Sequence, residues 1–138
     1  MVRYLLDTNV LSELRKGARA DSGVRSWFEG SVEGELFTSV LVFGELRRGV
    51  ESVRRRDPTG AVALEQWLMR MAETFGDRVV SIDPRVADRW GSLNVPDPLP
   101  TVDGLLAATA LVHEMILVTR NVRDVARTGV EVVNPFAG

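Results

Sequence analysis

The stretch Val2-Arg-Tyr-Leu-Leu-Asp-Thr-Asn-Val-Leu11, continued by SELRKG to Gly17, carries most of the information about the fold. Val2 to Leu6 is a short apolar run, the pattern of a strand buried on both faces, and it is closed by an acid, Asp7. Thr8 and Asn9 are residue types that cap helices, VLSELRK has helical character, and Gly17 ends it. A buried strand turning at once into a helix is the opening of a parallel α/β unit. It also places the Asp7 carboxylate at the strand's carboxyl end.

The same alternation continues along the chain. A helix begins at Ser22 and carries Trp27 and Phe28, and Leu36-Phe37 is a brief strand. Thr38 or Ser39 caps a long helix to about Arg55, whose apolar stripe is Phe43, Leu46, Val50 and Val53. Asp57, Pro58 and Gly60 break it, and a further helix shows Leu64, Leu68, Met71 and Phe75 on one face. Arg78 to Ile82 is a β-branched strand, Asp83-Pro84 starts a helix through Trp90 and Leu93, and Val95 to Pro100 is a proline-stiffened loop. Thr101 opens the apolar helix VDGLLAATALVHEM. Ile116 to Val118 is a strand, Asn121 to Arg127 a short helix and Glu131 to Val133 a last strand. The expectation is an α/β fold with a mainly parallel sheet between helices, as a single domain over residues 1–138. Ligands in such folds collect beyond the carboxyl ends of the strands.

Composition bounds the function more loosely. A 138-residue chain that is 45% apolar suits one folded core, and it has no cysteine, which excludes disulfides, thiolate zinc sites and a thiol nucleophile. Its first apolar segment is too short for a signal peptide and no run suits a membrane span, so a cytoplasmic protein is expected. A formal charge of −2 argues against a general polyanion binder. Of 17 basic residues only Lys16 is lysine. Arginine is the better bidentate phosphate ligand, although a genome rich in G and C gives the same bias.

Four acids stand out. Asp7 and Asp124 follow strands, Asp103 sits on the apolar side of a helix's first turn, and Glu45 lies at the margin of an apolar stripe flanked by Gly44 and Gly49. Each has a simpler local explanation: a helix cap for Asp7, a dipole partner for Asp103, solvated charges for Glu45 and Asp124. The small neighbours of Glu45 point to close packing or to close approach of a ligand. Together, near strand ends that converge in a parallel sheet, the acids would repel one another unless a cation lay between them. All-oxygen ligation suits magnesium or manganese.

The segments YLLDTNVL (4–11), SVLVFGELRRG (39–49), TVDGLLAATAL (101–111) and LVTRNVRDV (117–125) resemble the four motifs of PIN-domain proteins. More narrowly, the chain is similar to VapC-type toxins of bacterial type II toxin–antitoxin systems, including the FitB-like branch. The resemblance implies a PIN-like α/β/α sandwich, magnesium- or manganese-dependent hydrolysis of RNA, and inhibition by a VapB-like antitoxin. A homodimer and a toxin–antitoxin hetero-oligomer are expected with it. Asp7, Glu45 and Asp103 match the three principal acids and Asp124 the variable fourth. Thr8, Asn9, Ser39, Thr119 and Asn121 match polar positions that support them. In this reading Asp7 and Asp103 ligate the cation, while Glu45 and Asp124 ligate it or orient its water. Arg48, Arg120 and Arg123 are candidate contacts to the RNA backbone, against the simpler reading of solvated charge.

Other chemistries fit less well. A haloacid-dehalogenase-type phosphotransferase needs a second Asp where Asn9 stands. A receiver domain needs a late lysine, which Lys16 is not. No G-x-S-x-G elbow is present, and His113, late in an apolar helix, is better placed for packing than for catalysis. A non-catalytic PIN-like module that binds RNA or a protein is the remaining alternative.

Overall fold

The computed structural model describes residues 1–137. Five strands form one sheet in the order β3-β2-β1-β4-β5, and every pairing is parallel. Strand β1 (Tyr4–Leu6) is central. It pairs with β2 (Leu36–Ser39) on one side, Leu5 opposite Phe37, and with β4 (Ile116–Val118) on the other, Leu5 opposite Leu117. Leu5 and Leu6 are both fully buried, as two covered faces require.

Parallel neighbours need crossovers, and the helices supply them. Helices α1 (Thr8–Leu14) and α2 (Ser22–Glu29) link β1 to β2. Helices α3 (Val40–Arg56) and α4 (Pro58–Phe75) lead to β3 (Val79–Val80). Helices α5 (Pro84–Leu93) and α6 (Thr101–His113) cross back to β4, and α7 (Val122–Val125) precedes β5 (Val132–Val133). The helices pack in two groups, α1 with α2 and α3, α3 with α4, and separately α5 with α6 and α6 with α7. The direction of strand addition reverses between β2 and β4, on either side of β1. A sheet of this kind opens a crevice at that point, beyond the strand ends. Among the described residues no helix is long and apolar enough to cross a membrane.

Several local expectations change. The first strand begins at Tyr4 rather than Val2, and its helix is capped not by Thr8 or Asn9 but by Asp7, whose Oδ1 accepts the Thr8 N–H at 2.7 Å. Of Thr38 and Ser39, Ser39 is the cap of α3, accepting from Leu41 N at 3.1 Å, while Thr38 donates to the Leu6 carbonyl across the sheet. The strand expected over 78–82 shrinks to two residues because β3 is an edge strand and meets only Thr38 and Ser39 of β2. Arg78 instead donates to the carbonyls of Glu33, Leu36 and Thr74. The last strand likewise loses Glu131. The helix expected over 121–127 is α7 followed by a 3-10 turn, and α6 stops at His113, where Glu114 adopts a left-handed conformation.

Candidate active site

Asp7 is nearly completely buried just past β1, and its backbone N–H still pairs with the Val118 carbonyl of β4 at 3.0 Å. The sheet therefore holds this residue rigidly. Because Asp7 is the cap, Thr8 and Asn9 lie inside the first turn of α1 with their side chains free for other partners. Thr8 Oγ1 donates to Glu45 Oε1, tying α1 to α3. Asn9 Nδ2 donates to Asp7 Oδ2 at 3.4 Å and to Thr119 Oγ1 at 3.3 Å.

Thr119, the first residue after β4, is buried and donates to Asp7 Oδ2 at 2.7 Å, while accepting the Asn121 N–H at 3.0 Å. Asn121 Nδ2 in turn reaches Asp103 Oδ1 at 3.4 Å. Residues from α1, α3, α6 and the β4–α7 turn are thus joined around the two aspartates.

These groups line an open cleft of about 650 Å³ at the carboxyl edge of the sheet, with Asp7, Glu45 and Asp103 in its wall and Arg48 as its cation. Burial raises the Asp7 carboxyl above its ordinary value of 3.8. The hydrogen bonds from Thr119, Thr8 N and Asn9 oppose that rise, and the Glu45 charge adds to it. Asp103 is also raised, first by burial and then by the charges of Asp7 and Asp124, with the Asn121 hydrogen bond opposing. The charge of Glu45 thus reaches Asp7, and those of Asp7 and Asp124 reach Asp103. None of the four forms an ion pair with Lys or Arg among the described residues.

Among the described residues no three acids close around one point as a preformed cage would. The donors are nevertheless all oxygen, and Asp7, which has no cationic partner among the described residues, is a carboxylate whose burial a cation would offset. A hard divalent ion that keeps much of its water, as magnesium does, suits such an open set.

The PIN-domain family model matches residues 4–130. The chain belongs to the PIN-domain family.

Similar proteins span nearly the full length. The VapC ribonuclease Y4jK of Sinorhizobium fredii is 26% identical over 140 residues, 96% of either chain. FitAcB from Neisseria gonorrhoeae has a solved structure with a TM-score of 0.87 at 26% identity, covering 96% of this chain and 97% of the other. A toxin–antitoxin complex from Klebsiella pneumoniae gives 0.72 at 26% identity, covering 96% and 98%.

Within this PIN fold the expected site residues take different positions. Thr8, Asn9, Arg48 and Asn121 line the cleft with the three acids, and Thr119 lies beneath Asp7. Asp124 is exposed on α7 and meets the others only through Asp103. Ser39 is buried and its hydroxyl serves the α3 backbone. Arg120 places its guanidinium 4.7 Å from the Phe136 ring centre, and neither it nor Arg123 lines the cleft. At Gly44 and Gly49 a Cβ would meet no described atom within 4 Å apart from the adjoining backbone of α3 itself, which removes close packing against another element as their reason.

Gly49, Ser52, Pro100 and Val102 also line the cleft. Ser52 was within reach of sequence reasoning, since it lies two turns after Glu45 on the same face of α3. Pro100 immediately precedes α6 and Val102 lies in its first turn, and neither carries a chemical signal of its own.

Proposed function

We propose that this PIN domain is a magnesium- or manganese-dependent ribonuclease, the toxin of a type II toxin–antitoxin pair. The observation that carries the reading is the gathering of Asp7, Glu45 and Asp103 in an open cleft, with buried Asp7 lacking a cationic partner among the described residues. The named ribonuclease and toxin–antitoxin relatives support RNA as substrate and a VapB-like antitoxin as inhibitor. A homodimer, bound with the antitoxin in a hetero-oligomer, belongs to the same reading.

Asp7 and Asp103 would hold the cation, with Glu45 and Asp124 as further ligands or as acceptors for bound water. When bound, such an ion lowers the pKa of water and stabilises charge on the phosphoryl oxygens. The chain's own residues do the positioning. Thr119 and Asn9 orient Asp7, Asn121 orients Asp103, and Thr8 holds Glu45 toward the cleft. Glu45, on the cleft wall, would accept a proton from the water that attacks phosphorus, while solvent would protonate the ribose oxygen that leaves as its P–O bond breaks. Arg48 offers the phosphate a bidentate donor.

Chelator should abolish cleavage of RNA by the purified chain, and magnesium or manganese should restore it. Asp7→Asn and Asp103→Asn should each lower the rate by at least about 100-fold, given that loss of one charge-stabilising group costs about 3–4 kcal/mol. A folded Asp7→Asn variant that cuts at the wild-type rate would refute the assignment. RNA binding without metal-dependent cutting by the unmutated chain would favour a binding module instead.

A further inference from the structure

Helix α3 carries two rows of arginine in different states. Arg47 and Arg54, two turns apart on one side, are both engaged. Arg47 Nη1 lies 3.1 Å from Glu51 and 2.8 Å from Glu65, while Arg54 Nε lies 3.1 Å from Glu51 and its Nη2 also meets Glu65. Glu65 belongs to α4, so this row joins the two helices. Arg48 and Arg55 are likewise two turns apart. Both are exposed, and among the described residues neither makes an ion pair.

A shallow depression lined by Arg48, Glu51, Ser52, Arg54 and Arg55 adjoins the acid cleft and shares Arg48 and Ser52 with it. The two form one continuous surface. Its acid, Glu51, is already held by Arg47 and Arg54, which leaves the charges of Arg48 and Arg55 uncompensated.

An acidic cleft repels a polyanion, so a nucleic acid that reaches it must be held from beside it. We propose that Arg48, Ser52 and Arg55 form the track for the phosphate backbone of the RNA strand on one side of the scissile bond. The inference rests on the ribonuclease reading and adds the path of the substrate. From Glu45 to Arg55 the helix advances about 15 Å, so the strand leaves the cleft along α3 toward its C-terminal end. The negative end of the helix dipole there is offset by Arg54, Arg55 and Arg56 in the last turn. Guanidinium groups grip phosphate oxygens two at a time, and a serine hydroxyl between them donates a further bond.

The test is binding, separated from cleavage. Asp7→Asn chain is titrated with fluorescein-labelled single-stranded RNA across a series of potassium chloride concentrations. Adding Arg55→Ala should weaken binding several-fold at low salt and reduce the slope of log K against log salt by about 0.7, the loss of one phosphate contact to a single strand. Arg48→Ala should do the same, and the pair should do about twice as much. Arg70→Ala, which removes an exposed arginine from α4, should leave the slope unchanged. An Arg55→Ala slope equal to that of Arg70→Ala overturns the track, as does absence of RNA binding in the Asp7→Asn background. Should the slopes shift while unmutated chain with magnesium or manganese cuts nothing, the track stands and the nuclease reading falls. Cutting by the unmutated chain with unchanged Arg55→Ala slopes means the reverse.

Discussion

Asp7 performs two tasks with two oxygens. Oδ1 accepts from Thr8 N and starts α1, while Oδ2 accepts from Thr119 and, at longer range, from Asn9. The helix cap and the cleft carboxylate are thus one residue rather than competing explanations of it. Thr119 supplies the largest of the interactions that oppose its burial. Thr119→Val keeps the side-chain shape but leaves Oδ2 only the 3.4 Å contact to Asn9. It should cost about 1.5–3 kcal/mol by denaturant unfolding at neutral pH, the range for a hydrogen bond to a charged group. Thr119→Ser should retain most of that stability, and equal values for the Val and Ser variants would show that this bond does not matter. Asp7 could be singled out from sequence because its setting is local, an acid at the end of a buried strand. Thr119 drew attention only through resemblance, since a threonine after a strand carries no distinguishing pattern.

At the scale of the element, α3 brings four residues to the cleft on one face: Glu45, Arg48, Gly49 and Ser52. Its two glycines provide a controlled comparison. At both, the space a Cβ would fill has no other atom within 4 Å, but only Gly49 borders the cleft. Each Gly→Ala change should raise stability by up to about 1 kcal/mol, read from thermal or denaturant unfolding. Gly44→Ala should leave RNA cleavage as it is, whereas Gly49→Ala should raise KM several-fold by filling space the RNA needs. Wild-type KM in Gly49→Ala would mean that the substrate does not approach α3 there. Helix α3 was readable from its 3.6-residue stripe and from the break at Asp57-Pro58. The extent of β3 was not, because pairing at a sheet edge depends on how far the neighbouring strand reaches.

For the whole molecule, the sheet order places β1 between β2 and β4, and this converts acids distant in sequence into a coupled set. Asp7 and Asp103 both have raised pKa values in the fold. A raised carboxyl binds more protons folded than unfolded, so it contributes stability below its ordinary value of 3.8 that is lost as pH rises through the raised value. The lowered carboxyls Glu13, Asp21, Glu51 and Glu65 act oppositely, and their contribution is lost only as pH falls below their ordinary range. In chelator, then, the melting temperature of the wild type relative to Asp103→Asn should decline as pH is raised above about 4, the opposing carboxyls being common to both. Magnesium should raise the melting temperature at neutral pH in a concentration-dependent way, because it binds the ionised folded form. A chelated wild type and Asp103→Asn with identical pH profiles would contradict this account.

The succession of strands and helices, the buried first strand and the element on which each acid lies were accessible from the chain itself, whereas the central place of that strand was not. They follow from local rules: hydrophobic period, capping chemistry and proline or glycine breaks. The convergence of Asp7, Asp103 and Asp124 is expected from strand ends and a helix start, and Glu45 joins them through the resemblance, but which acid lies within reach of which is a property of the folded molecule. So is the contrast between Arg47 and Arg54, held by Glu51 and Glu65, and their neighbours Arg48 and Arg55, which make no ion pair among the described residues. Charges are counted in a sequence, but whether a charge is neutralised depends on what another helix places within a few ångströms of it. That distance is set only when α4 packs on α3 and β1 takes its place between β2 and β4.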